Sequence, residues 1–198
     1  MYLTIRHYRG AGDTEILMRR VAAEVVPLLR QQPGFARYWA GRTEDGDAFS
    51  ITVFADRATA GRANDAVRQH VLGRLADLLP HPPTVYAGEV QVEALGATTN
   101  AARFAIMSLR PGLAPPATMT PKVVEVLVPV FKAQPGFIAY VTARLEGEPD
   151  TGIVVSVWDR RESAEAGTAK TGEAVRARMQ GLVPEPSFRI RGELGVSA

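Results

Sequence analysis

Apolar and polar positions alternate from Tyr2 to Tyr8 in a stretch rich in aromatic and β-branched types, which predicts a strand ending at Gly10. The spacing then changes. Leu17, Val21, Val25 and Leu28 step by three or four, the period of a one-faced helix, with Asp13 as its N-cap. Pro33-Gly34 stops that helix and opens a strand over Phe35–Arg42. A polar turn containing Asp45-Gly46, a hairpin signal, leads to a third strand over Ala48–Phe54. A second helix is predicted from near Asp56 to about Leu79, with the stripe Ala60, Asn64, Val67, Val71, Leu75 and Leu78. Pro80, Pro82 and Pro83 close it, and a fourth strand follows around Val85–Glu93.

The chain then writes the same pattern again. QPGFARYWAGR at Gln32–Arg42 returns as QPGFIAYVTAR at Gln134–Arg144, an offset of 102 (134 minus 32). Phe104–Leu109 repeats the first strand, and Met119, Val123, Leu127 and Val130 repeat the first helical stripe. Here Thr120 is the expected cap, with Pro121 at the first helical position. Pro27 and Pro129 fall at matching places late in these helices, where a missing N–H predicts a kink or a restart. From the third strand, Ile153–Trp158, the offset is 104 (158 minus 54), so the second hairpin loop is expected to be two residues longer. Ala164, Thr168, Thr171, Val175, Met179 and Leu182 repeat the second helical stripe, in a helix expected from about Asp159 to Val183.

Each half reads β-α-β-β-α-β, the ferredoxin-like order, giving an α+β fold with halves at 1–93 and 103–198 and a small, polar linker over 94–102. Two helices on one face of four strands leave the other face bare, and the partner expected to cover it is the other half.

The element order, the Pro-Gly-Phe start of the second strand and the third-strand aromatic before the second helix resemble the dimeric α+β barrel superfamily. Tyr2–Val92, with ADRATAGRANDAVRQHV and GEV, is similar to antibiotic-biosynthesis-monooxygenase-like (ABM) domains. The resemblance implies a tandem ABM domain forming an intrachain pseudo-dimer, with further homodimerisation left open. It also implies a small-molecule ligand lying between helices and sheet, and oxygenase chemistry on aromatic or polyphenolic molecules without metal or flavin. The alternative is a non-catalytic ligand-binding or stress-related barrel. A haem-binding or haem-degrading relative is the third reading, against which stand the absence of Asn from the first strand and of Trp from the second helix.

Composition narrows the partners. A net charge of +2 from 23 basic and 21 acidic residues, with no basic run, gives no nucleic-acid footprint. There is no cysteine, which removes disulfide and thiol chemistry and suits a cytoplasmic location. Met1–Arg9 lacks the pattern of a signal peptide, and no apolar run is long enough for a membrane span. Three scattered histidines, His7, His70 and His81, predict no metal site and no cofactor.

Within the first half, Asn64 on an apolar helix face must be paired or pay for its burial, and His70 flanks the same stripe; these are the candidate catalytic residues. Tyr38 and Arg42 share a strand face, as do Tyr140 and Arg144, and a phenol beside a guanidinium suits an anionic substrate. Trp39, unmatched in the second half, and Thr168, which takes the place of Asn64, complete the candidate substrate-binding set. The first half, which carries more of these groups, is the expected seat of any reaction.

Overall fold

The computed structural model describes residues 1–97 and 101–198. The strands are β1 (Tyr2–Tyr8), β2 (Phe35–Thr43), β3 (Ala48–Phe54), β4 (Thr84–Leu95), β5 (Phe104–Arg110), β6 (Phe137–Leu145), β7 (Glu148–Trp158) and β8 (Phe188–Ser197). Their hydrogen-bonded order, β1-β3-β2-β8-β5-β7-β6-β4, closes into an antiparallel barrel. No helix among the described residues is long and apolar enough to cross a membrane.

The chain forms two compact units, Met1–Glu89 with Gly192–Ala198, and Val90–Arg191. They depart from the sequence halves because β4 and β8 each run from one unit into the other. β4 continues to Leu95, so the expected 94–102 linker begins inside a strand; its residues 98–100 lie outside the described residues.

In unit 1, β3 pairs with both β1 and β2, with Tyr2 and Phe35 both opposite Phe54. Period-two alternation then sorts the side chains. Tyr2, Tyr38, Ala40, Ala48 and Phe54 pack on the helices with Leu17, Val21, Val25, Leu29, Ala60, Ala63 and Leu75. Leu3, Ile5, Trp39, Phe49, Ile51 and Val53 take the opposite face and are also buried. Unit 2 repeats the helix-side cluster with Phe104, Met119, Val123, Leu127, Phe131, Phe137, Tyr140 and Trp158.

The first helix of unit 1 is continuous from α1 (Thr14–Arg20) through a π segment (Val21–Val25) to α2 (Val26–Arg30). Asp13 caps it, accepting from the Glu15 and Ile16 amides. The π segment is how the helix accommodates Pro27: the Val26 amide reaches back to Val21 O, and the widened turn relieves the contact a proline ring makes with the carbonyl four residues earlier. Unit 2 does the same before Pro129, with α4 (Pro116–Lys122), a π segment (Val123–Leu127) and α5 (Val128–Lys132).

Three expected boundaries move. α4 starts at Pro116 with Pro115 as its cap, not at Thr120, because paired prolines preset the first turn where no amide is needed; Pro121 lies inside the helix. The second helices, α3 (Arg57–Arg74) and α6 (Arg161–Arg178), end several residues early, although Leu75, Leu78 and Met179 beyond them remain in the core. Asp56 caps α3 through Thr59, whereas α6 is capped at Arg160 without a side-chain bond. The two extra residues of the second hairpin lengthen β7 and not the loop, for Leu145 pairs with Glu148 across a tight turn with Gly147 at φ 86°. Gly34 and Gly136 both sit at φ 77°, the backbone that the Pro-Gly-Phe turn requires.

Candidate functional site

Each unit has a space between its helices and its sheet, and the two differ greatly in size. In unit 1 it is a cavity of about 40 Å³, room for a few water molecules. In unit 2 it is about 770 Å³, the size of a small-molecule site. The expected seat in the first half is thus where the structure has the least room.

Most residues lining the small space have a counterpart in the lining of the large one, and several of these differ in size and polarity. In unit 1, Arg6 projects from β1 towards α3, where its Nη2 donates to Asn64 Oδ1 and its Nη1 lies 3.5 Å from Thr52 Oγ1. Ser50 hydrogen-bonds the hydroxyls of Tyr8 and Tyr38. In unit 2 the equivalent positions are Ser108 for Arg6, Ser156 for Thr52, Thr168 for Asn64 and Val154 for Ser50. The Thr168 hydroxyl turns back onto its own helix, donating to Ala164 O at 2.7 Å, and Thr171 does the same to Gly167 O. Ser108 is too short to cross the gap from the place of Arg6, and the arginine that reaches the helix here is Arg191 of β8, at Glu165 of α6.

The unit 2 cavity has apolar walls from Val92, Ile106, Met119, Val123, Leu127 and Phe131, with guanidinium groups among them. Arg110, which replaces Tyr8, donates from Nη1 to Pro184 O at 2.5 Å. Burial, and the charge of Arg189, hold its pKa below the ordinary arginine value, with Glu185 and Tyr140 acting in the opposite sense. Arg144 donates to the carbonyls of Leu113 (3.5 Å), Pro149 (3.2 Å) and Ala114, and burial lowers its pKa as well. Arg191 is paired with Glu165 at 2.9 Å, and Glu173 with Lys170 at 3.0 Å. Tyr140 is fully buried beneath Phe131, whose ring stacks on it at 4.3 Å. Burial pushes its phenol pKa far up, opposed by the Arg110 charge, so at neutral pH it keeps its proton.

Of the residues singled out from the sequence, Tyr140, Arg144 and Thr168 line the large cavity, and Tyr38 and Asn64 line the small one. His70 turns to α1's continuation, with Nε2 2.9 Å from Glu24 Oε2, and lines neither. Trp39 is buried on the sheet face away from the helices. Arg42 is exposed and paired with Glu193 at 3.0 Å. Arg110, Arg189 and Ser108 were not anticipated. Their signal lies in the repeat itself, where Arg6 and Tyr8 become Ser108 and Arg110. Among the described residues no cluster of acidic and histidine side chains could hold a metal ion. Neither cavity lining contains an imidazole, so the residues do not suit an axial haem histidine.

No family model and no curated protein matches this chain. Solved structures do. A provisionally named monooxygenase from Fusobacterium nucleatum superposes with a TM-score of 0.74 at 11% identity, over 99% of this chain and 93% of that one. A second, from Lactobacillus acidophilus, gives 0.72 at 12% identity over 100% and 94%. The fold is that of the dimeric α+β barrel, here closed by the eight strands of one chain. A protein named as a chlorite dismutase shares it too, with a TM-score of 0.60 at 13% identity over 98% and 93%. At such identities the likeness carries the fold alone, and the chemistry must be argued from the cavity.

Proposed function

We propose that this is a cytoplasmic, cofactor-independent monooxygenase, an intrachain pseudo-dimer acting on a small aromatic or polyphenolic molecule in the unit 2 cavity. The observation that carries the reading is that the Arg110 guanidinium and the protonated Tyr140 hydroxyl line one large space whose walls are partly apolar. An anthrone or hydroquinone reacts with dioxygen once it is ionised. A guanidinium lowers the pKa of the bound oxygen acid, and a neutral phenol can donate to the resulting oxyanion. For an anthrone the balance closes without a cofactor: the methylene carbon loses two hydrogens, one oxygen atom becomes its carbonyl and the other leaves as water.

The two monooxygenase-named neighbours support this reading through their fold. A specific observation also favours a binding protein without turnover. The lining offers no imidazole base, two of its three carboxylates, Glu165 and Glu173, are engaged by Arg191 and Lys170, and the third, Glu185, faces the charge of Arg110. Oxygen uptake against a panel of anthrones and hydroquinones separates the two. Turnover that falls in Arg110→Met and Tyr140→Phe, but not in Asn64→Ala or His70→Ala, supports the oxygenase in unit 2. Tight binding without uptake supports the binding protein, and loss of turnover in Asn64→Ala alone returns the site to unit 1.

A further inference from the structure

The two units are built on one pattern, yet one encloses a ligand-sized space and the other does not. Among the side chains that fill the unit 1 space, two have much shorter or inward-bonded counterparts in unit 2. In unit 1 the long Arg6 side chain crosses from β1 to α3 and is held at its far end by Asn64, whose amide would otherwise be left on an apolar helix face. Its head bonds the Asn64 carbonyl oxygen and lies near Thr52, with no carboxylate paired to it among the described residues, so the bond serves the packing of this space and not a salt link. In unit 2 the strand position carries Ser108 and the helix position Thr168, whose hydroxyl is spent on its own helix. The surrounding apolar wall is kept: Leu17, Val21, Val25 and Val71 of unit 1 correspond to Met119, Val123, Leu127 and Val175 of unit 2.

We propose that the Arg6–Asn64 pair is a built-in plug that leaves the tandem with one ligand site per chain, and that removing it opens a second, latent site in unit 1 for small aromatic molecules. This rests on the reading that the unit 2 cavity is the ligand site. The latent site keeps Tyr38 and Tyr8 as donors in an apolar wall but lacks a counterpart of Arg110, so it takes the same ring systems with a weaker preference for anions.

The test is binding stoichiometry with 1-anilinonaphthalene-8-sulfonate, an anionic aromatic probe, by calorimetric and fluorescence titration of the full chain, with cooperative thermal melting as the check of folding. The wild type is expected to bind one probe and Arg6→Ser/Asn64→Thr two. The reciprocal Ser108→Arg/Thr168→Asn, which writes the plug into unit 2, is expected to lose at least ten-fold in affinity. Combining all four changes restores one site. A folded Arg6→Ser/Asn64→Thr protein that still binds one probe overturns the plug. Should that variant not fold, the reciprocal one decides: undiminished binding in Ser108→Arg/Thr168→Asn overturns the proposal. Failure of the underlying reading looks different, since a wild type that binds no probe, beside an opened variant that binds one, removes the unit 2 site and leaves the plug standing.

Discussion

Trp158 lies directly against Gly167: a methyl group added at Gly167 would sit 2.0 Å from Trp158 Cη2. The ring is fully buried, with its Nε1 donating to Ser156 Oγ at 3.0 Å, so it has no room to retreat. At the equivalent places of unit 1 stand Phe54 and Ala63, a smaller ring with a larger helix residue, both in the core cluster. The two sites solve one packing problem in opposite ways. Gly167→Ala is expected to lower stability by about 1–3 kcal/mol through overpacking, even though alanine is the better helix former. Adding Trp158→Phe, which restores the unit 1 combination, should recover most of that loss. Urea denaturation of the single and double variants checks this, and an additive double variant would show that the two residues do not share the space.

The fold was legible because its determinants are local and written twice. Pro33-Gly34-Phe35 and Pro135-Gly136-Phe137 fix the same positive-φ turn, and Asp13 and Asp56 cap the helices they precede. The candidate cavity was less legible. What opens it is partly the lack of a long side chain at Ser108, and serine on a strand carries no signal until the repeat is laid against Arg6. Asn64 is visible in the sequence as an amide in an apolar stripe, but the partner that satisfies it, Arg6, comes from a strand 58 residues away. Period and propensity do not reveal such long-range pairs.

Arg110 is the group on which anion recognition should turn. Charge-assisted hydrogen bonds are worth about 1.5–3 kcal/mol, so Arg110→Met should weaken binding of an aromatic carboxylate or phenolate roughly 10- to 100-fold. Binding of an uncharged analogue should change little. Fluorescence competition with the charged and neutral members of one ligand pair makes the comparison. Equal losses for both would mean that the substitution has damaged the cavity and that Arg110 does not recognise charge.

Alkaline pH should reveal the buried phenols. Burial raises the pKa of Tyr38 and Tyr140 above the ordinary 10.0, so the folded chain holds protons that the unfolded chain gives up. Their contribution is therefore constant below about pH 10 and falls as the pH rises above it, by up to about 1.4 kcal/mol per pH unit for each phenol. Tyr140→Phe should flatten this decline in urea midpoints measured from pH 8 to 11. A decline of unchanged slope would show that Tyr140 ionises in the folded protein.

Arg144 has a different duty from Arg110, though both line the cavity. Its guanidinium gathers the carbonyls of Leu113 and Ala114, just ahead of α4, and that of Pro149 on β7. Leu113 is further fixed by its amide bond to Asp150 O and by packing over Gly152, where a Cβ would lie 2.3 Å from Leu113 Cδ1. Removing the guanidinium frees three acceptors that can turn to water, so the cost falls on local order and not on the core. Arg144→Ala should therefore speed amide exchange at Leu113 and Ala114 by about ten-fold or more while leaving the β5–β7 ladder protected. Because Leu113 is part of the cavity wall, ligand affinity should fall through a faster off-rate, with association little changed. Arg144→Lys, which keeps the charge without the planar fork, should not restore the slow exchange. If it does, the positive charge alone holds this segment and the carbonyl geometry is incidental.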